Sequence, residues 1–287
     1  MFPVHAPDSA PPAAPPAVAH RRPRSLAHGA ATVAVALFGS LLLLFLVAPL
    51  AELVAVGGAS GARKLFSDAE LRGALALTAA TATTATLIGL LGGVPLAYLL
   101  ARREFRGRAL LAALLDLPLL IPHPVAGIAL LLVLVRASPL GGVLLDAGVR
   151  VVSTPVGIVC AMLFVSAPLL VSGAREAFAR VDPRYEAVAR TLGDPPWRAF
   201  RRVTLPLSAR GIVAAAVVMW ARAVSEFGAV VILTYNPKVV SVLSFDRFTT
   251  FGLDEALPVA AVLALLALVP LVLLRALRVD RVTRMGP

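Results

Sequence analysis

The stretch RVDPRYEAVARTLGDPPWRAFRRVTLPLSAR, from Arg180 to Arg210, is a polar interval between long apolar runs, and it carries the grammar of two short helices. Asp182 before Pro183 reads as an N-cap and first helical residue, since a carboxylate accepts a free backbone N–H and proline has none to lose there. Tyr185, Val188, Ala189 and Leu192 then recur at helical spacing on one face. Gly193 ends that helix as the left-handed residue. Asp194 and Pro195 repeat the start signal, with Trp197, Phe200 and Val203 three residues apart opposite Arg198, Arg201 and Arg202. Leu205-Pro206 is expected to close the second helix. Such a pair is either a compact knob that needs a socket in another protein or two interfacial helices lying on anionic headgroups. Both readings stand on these residues alone.

Outward from this interval the chain is too apolar for water. Of its 287 residues 59% are hydrophobic and 15% charged, and the mean hydropathy is +0.88, far from an ordinary soluble domain. A helix needs about 20 apolar residues to cross about 30 Å of hydrocarbon. Six such windows occur, at 30–56, 71–100, 110–135, 155–178, 211–233 and 257–277. The expected fold is an all-α membrane protein with six transmembrane helices. The third window holds Pro118, Pro122 and Pro124 and is expected to be kinked or unwound there. Residues 1–25, rich in Pro and Ala, read as a disordered tail, 26–280 as the membrane domain, and 281–287 as a second tail. The apolar run after Arg24 is too long for the core of a cleaved signal peptide, so an uncleaved first span is expected. Cys160 is the single cysteine and reads as a small buried apolar residue.

A net charge of +11 raises the possibility of a nucleic-acid partner, but the placement of the cations points to the lipid bilayer instead. Nineteen of the 27 Lys and Arg fall at one set of helix ends: Arg21, Arg22 and Arg24; Arg102 to Arg108; Arg175 to Arg210; and Arg275 to Arg284. The opposite ends hold Arg63, Lys64, Arg72, Arg136, Arg150, Lys238 and Arg247. The positive-inside rule then makes both termini, and the 180–210 loop, cytoplasmic.

No Gly-x4-Gly-Lys-Ser/Thr pattern occurs, so the chain has no P-loop of its own. No metal-ligand spacing and no nucleophile triad stands out, and no catalytic residue is assigned. Arg222 and Glu226, four apart in the fifth window, are expected on one helix face near mid-membrane. They are either a buried ion pair that fixes helix five or residues that line a translocation gate. His123, between two prolines, is either a packed histidine or part of the same path, and 118–127 is a candidate hinge. Thr78, Thr81, Thr83, Thr84 and Thr86 read as small packing residues that bond back along their own helix. Phe245, Phe248 and Phe251 repeat at helical spacing, as in an amphipathic helix on the outer face.

Glu186-Ala187-Val188-Ala189, Gly193, nine further residues and then Val203-Thr204-Leu205-Pro206 resemble the EAA coupling loop of ABC importer permeases. Two departures are visible: Val188 takes the place of the first alanine, and Glu186 lies seven rather than six residues before Gly193. The run DLPLLIPHPVAGIA, Asp116 to Ala129, is similar to the third span of molybdate, tungstate and sulfate permeases, and AVSEFGA, Ala223 to Ala229, to their fifth. Tyr235-Asn236-Pro237-Lys238 with Phe245, Arg247, Phe248 and Phe251-Gly252-Leu253 looks closest to the tungstate/molybdate branch.

The resemblance implies a type I importer permease of a prokaryotic plasma membrane, working as a homodimer. Two ABC ATPase subunits would bind ATP and Mg, leaving no cofactor on this chain, and an extracytoplasmic oxyanion-binding protein would deliver the substrate. Coupling to the ATPase would fall to Glu186, Ala187, Ala189, Gly193, Asp194, Trp197, Leu205 and Pro206. Pro122, His123, Arg222, Ser225 and Glu226 would belong to the pathway or gate. A sulfate or thiosulfate permease, an ion-coupled secondary transporter and an interfacial scaffold remain as alternatives.

Overall fold

The computed structural model describes residues 26–279, with side chains described from Thr32 to Arg275. The tails expected at 1–25 and 281–287 lie outside the described residues. All regular structure among the described residues is helical. In chain order the helices are α1 (Leu26–Ser67), α2 (Ala69–Arg102), α3 (Arg108–Leu120), α4 (His123–Leu134), α5 (Pro139–Asp146) and α6 (Pro155–Ala179). They continue as α7 (Pro183–Thr191), α8 (Pro196–Ala199), α9 (Leu205–Val224), α10 (Gly228–Leu233), α11 (Val240–Phe251) and α12 (Leu253–Val279). Five of these are long and apolar enough to cross a membrane, and the bent pair α3 and α4 makes a sixth crossing if counted together.

The chain divides at Pro49, inside α1, into two compact units. In the first, Leu37, Phe38, Leu41 and Phe45 are all exposed, a continuous apolar surface unsuited to water. In the second, the part of α1 after Leu50 packs on α12 through glycines. A Cβ on Gly57 or Gly61 would lie 2.7 Å from the carbonyl oxygen of Leu257 or Pro258, so small residues permit the close approach.

The core of the second unit is built by α2, α6 and α9. Ala82 and Ala85 of α2 meet Ala161, Met162 and Val165 of α6 and Ala223 and Val224 of α9. The threonines of α2 mostly bond back along their own helix, whether buried or exposed. Thr78, Thr81, Thr84 and Thr86 donate to the carbonyls of Ala74, Leu77, Ala80 and Ala82, at 2.7 to 2.8 Å. Thr83 instead accepts from Trp220 Nε1 at 3.1 Å, across to α9. Cys160 packs against the same core.

The third window breaks where its prolines stand. Pro118 is tolerated inside α3, the chain leaves the helix at Ile121 and Pro122 in extended conformation, and α4 restarts at an angle of 113°. The fifth window corrects the expectation of one helix from Gly211 to Leu233. Helix α9 stops at Val224, Ser225 to Phe227 are non-helical, and α10 begins at Gly228. Its cause is local: Glu226 Oε1 accepts the Ala229 N–H at 2.8 Å, so the side chain starts a new helix as a cap does. Arg222 in α9 and Glu226 beyond its end therefore do not share one helix, although they do meet.

Helix α11 is amphipathic in the inverted sense. Phe245, Phe248 and Phe251 are exposed while Arg247 on the other side is buried. Arg247 Nη2 reaches Asp68 at 2.6 Å and Glu70 at 3.1 Å, both at the start of α2. Lys238 bonds Asp246 at 2.6 Å, and Tyr235 also donates to Asp246. Burial pushes the Asp68 carboxyl up, but the Leu71 N–H and Arg247 outweigh it and its pKa is lowered. The Lys238 ammonium and the Tyr235 hydroxyl likewise hold Asp246 below its ordinary value.

Carboxylates with depressed pKa stabilise the fold above their unfolded pKa, and the contribution is lost as pH falls through the folded value. Arg247→Ala is expected to cost about 3 kcal/mol near neutrality, because it strands the largely buried Asp68 carboxylate. The gap in thermal midpoint between wild type and variant, followed in detergent, should shrink as pH is taken below 3.8, the ordinary value for Asp68 and Asp246. A gap independent of pH would refute the ionic account.

Candidate functional site

The interval 180–210 folds as a helical knob. Asp182 caps α7 by accepting the Arg184 N–H at 2.9 Å, and Gly193 takes φ +96° to turn the chain. Two expectations are corrected beyond that point. Pro195, not Asp194, occupies the cap position of α8, and Pro196 is its first residue. The residue before a proline is steered out of the α region, so Pro195 cannot begin the helix. Asp194 instead faces Arg198 and Arg202 at 3.6 and 3.5 Å.

Leu205-Pro206 does not end the second helix either. Residues Phe200–Thr204 form a π turn in which the Leu205 N–H bonds the Phe200 carbonyl, and the helical run continues from Pro196 to Val224. Proline lacks an N–H and collides with the carbonyl four residues earlier; a wider turn just before Pro206 relieves both problems. The α8 half of the knob and the membrane helix α9 are therefore one rod.

The outer face of the knob is apolar. Tyr185, Val188, Leu192 and Trp197 are all more than half exposed, and the first three line a shallow depression with Ala189, Val203 and Leu207. Ala187 is exposed beside them. Glu186 points the other way. Its carboxylate accepts from Tyr98 Oη at 3.0 and 3.2 Å and from Thr204 Oγ1, and lies 4.0 Å from Arg102 Nε. Arg102 Nη2 donates to the Val181 carbonyl at 2.8 Å. Tyr98 packs edge-on to Phe178 and Phe200, and Phe200 stacks on Trp197.

A second polar cluster lies where the two broken spans face each other. Gly228 lies directly against α4: a Cβ there would sit 2.8 Å from His123 Cβ and 3.0 Å from Pro124 Cδ. Gly127 is equally close to Ala229. Across this contact Arg222 Nη2 bonds Glu226 Oε2 at 2.8 Å and lies 2.9 and 2.8 Å from the two ring nitrogens of His123. A guanidinium only donates, so an imidazole nitrogen accepts. The Glu226 side chain is fully buried, whereas Arg222 is 21% and His123 38% exposed. The backbone carbonyl of Glu226 accepts from Ser241 Oγ at 2.7 Å.

Pro122 and Ser225 are exposed on the open side of this cluster, and Arg222 Nη1 is 3.5 Å from Ser225 Oγ. The five residues expected at a pathway or gate thus gather at one junction. Chemically, the junction presents a guanidinium edge and a hydroxyl to its open side, held in place by a carboxylate that never meets solvent.

Tyr98, Arg102 and Thr204, which hold Glu186, were not singled out by sequence; Tyr98 and Arg102 are four apart at the end of span two, a spacing that puts them on one face. The Asp68, Glu70, Arg247 and Lys238 junction was missed as well, since its members lie far apart in the chain.

A multi-span helical bundle with a helical knob and two facing helix breaks is the architecture of a membrane-embedded subunit. The chain belongs to the family described as binding-protein-dependent transport system inner membrane component, whose sequence pattern matches residues 93–282. It is 43% identical over 171 residues to the molybdate/tungstate transport system permease protein WtpB of Thermococcus kodakarensis, covering 60% of this chain and 64% of that one. It is 34% identical over 175 residues to the sulfate transport system permease protein CysT of Escherichia coli, covering 60% and 63%. The chain thus spans somewhat under two thirds of the length of these relatives.

Among solved structures it resembles a bacterial ABC transporter that imports the acidic polysaccharide alginate, with a TM-score of 0.67 at 17% identity, over 89% of this chain and 96% of that one. The MetNI methionine ABC transporter in its inward-facing conformation gives 0.53 at 16% identity, over 75% and 94%. The fold is that of an ABC transporter permease.

Proposed function

We propose that this chain is the permease subunit of an ATP-driven importer for a tetrahedral oxyanion, molybdate or tungstate, in a prokaryotic plasma membrane. The observation that carries the reading is the exposed apolar face of the knob, where Tyr185, Val188, Leu192 and Trp197 stand uncovered among arginines. The cover is a separate ATPase subunit, which binds ATP and Mg. Coupling runs through Ala187, Ala189, Gly193, Asp194, Trp197 and the Leu205-Pro206 continuation into α9. The excess of Lys and Arg in the sequence intervals on the side of the 180–210 loop supports a cytoplasmic knob and cytoplasmic termini.

Two copies assemble with two ATPase subunits, and an oxyanion-binding protein docks on the opposite face. Closure of the ATPases drives the two knobs together, and the rods that include α9 carry the movement to the junction of Pro122, His123, Arg222, Ser225 and Glu226. That junction is the gate. The molybdate/tungstate names of relatives more than 40% identical favour those anions over sulfate, whose named relatives are 34% identical.

The test is expression with the candidate ATPase and binding protein, followed by purification and uptake into proteoliposomes. The ATPase should co-purify in equal stoichiometry, and unlabelled tungstate or molybdate should compete with labelled molybdate far better than sulfate does. Failure of any ATPase to co-purify would overturn the importer reading. Sulfate as the best competitor would reassign the substrate, and recovery of a second, different permease would replace the homodimer.

A further inference from the structure

We infer that Glu186 acts inside this chain as a positioning residue that locks the knob to the end of α2, and does not itself contact the partner beneath the knob. The inference rests on reading the knob as the contact for an ATPase. Position carries the argument. On α7 the residues that face outward are Tyr185, Ala187, Val188 and Leu192, while the Glu186 carboxylate is 17% exposed and turned toward the bundle.

Its partners come from two different elements. Tyr98 and Arg102 belong to the last turns of α2, and Thr204 is the last residue of the π turn that leads into α9. One carboxylate therefore ties α7 both to α2 and to the base of the α9 rod. The Arg102 side chain extends the tie, since its Nη2 holds the Val181 carbonyl just before α7.

Tyr98 and Thr204 donate to Glu186, and hydrogen bonds to an ionised acceptor are stronger than neutral ones. Three groups in one network resist separation more than the sum of single bonds would. The tie also has slack at one point. Arg102 Nε is buried without a hydrogen-bond partner, 4.0 Å from Glu186 Oε1, so a displacement of about 1 Å would bring it within bonding range.

A residue with this role controls how knob movement is passed on, not whether the partner binds. The experiment compares wild type, Glu186→Ala, Glu186→Gln, Tyr98→Phe and Thr204→Val in the complete transporter in proteoliposomes. Two quantities are read: ATPase subunit retained on the purified permease, and anion taken up per ATP hydrolysed. We expect retention to match wild type in all four variants.

Uptake per ATP should fall by about twofold to thirtyfold, the range for positions that carry coupling between sites, and most in Glu186→Ala. Adding Tyr98→Phe to Glu186→Ala should produce little further loss, since both break one contact. Loss of retention in Glu186→Ala with Tyr98→Phe and Thr204→Val behaving as wild type would overturn the inference and make Glu186 a direct contact. Should Glu186→Ala fail to accumulate, Glu186→Gln and Tyr98→Phe carry the same two outcomes. A wild-type permease that retains no ATPase would overturn the reading of the knob itself, a result separable from either.

Discussion

Glu226→Ala is expected to abolish anion uptake and to destabilise the detergent-purified chain by about 3 to 5 kcal/mol, the range for removing one partner of a buried ion pair. The side chain has no contact with solvent and performs two tasks at once. Oε2 neutralises Arg222 at 2.8 Å, and Oε1 accepts the Ala229 N–H that starts α10. Alanine would leave a cation at membrane depth without its countercharge, and would also free a buried backbone donor. Glu226→Gln separates the two tasks, because its amide oxygen still accepts from Ala229 while the charge is gone. It should therefore be less destabilising than Glu226→Ala yet still defective in uptake.

The charge-swapped pair Arg222→Glu with Glu226→Arg is the sharper comparison. Arginine at 226 cannot accept the Ala229 N–H, and the guanidinium edge next to Ser225 would be lost from the open side of the junction. Uptake should stay well below wild type even where thermal stability partly returns. Full rescue of uptake would reduce the pair to a structural tie between α9 and α10.

Gly193→Val is expected to leave the amount of chain in the membrane near wild type while reducing uptake by tenfold or more. Gly193 has φ +96°, and a Cβ there would meet no atom within 4 Å. The penalty is therefore conformational, about 1 to 3 kcal/mol for a non-glycine residue held in a sparsely populated region, and it is severe for a β-branched one. The least costly relief is to rotate α7 relative to α8, which would misdirect the face of Tyr185, Val188 and Leu192. Gly193→Asn should be milder, since asparagine tolerates left-handed backbone. ATPase co-purification and uptake, measured on the three proteins side by side, give the ranking; equal activity in Val and Gly forms would show that the bend does not set the geometry of the contact.

Much of this architecture was legible in the sequence because membrane spans and proline signals are local. The long apolar windows, the break at Pro122, the cap at Asp182 and the stop at Gly193 each follow from a few neighbouring residues. The errors arose where local rules compete. At Asp194-Pro195-Pro196 the helix starts one residue later than the first proline signals, since the second proline displaces the first from the helix. Leu205-Pro206 read as a stop, yet a π turn ahead of it absorbs the proline.

At 225–227 the apolar window conceals a break that rests on Glu226 bonding its near neighbours Ala229 and Arg222, contacts that hydropathy does not register. The tie around Glu186 and the junction around Arg247 were illegible for a different reason. Their partners stand 88 residues away at Tyr98 and 177 at Glu70, and periodicity carries no information across such distances.

The bend between α3 and α4 bears on the order in which the chain can be made. With 13 and 12 residues, the two halves rise about 20 and 18 Å, each short of the roughly 30 Å of hydrocarbon. What seats α4 is its contact with α10, where Gly127 meets Ala229 and Gly228 meets His123. Those residues leave the ribosome about a hundred positions after α4 does. During synthesis α4 therefore meets its main packing partner only after the fifth crossing has emerged. Bulky residues at 127 or 228 are then expected to lower the yield of inserted protein, because they part the two helices that seat each other.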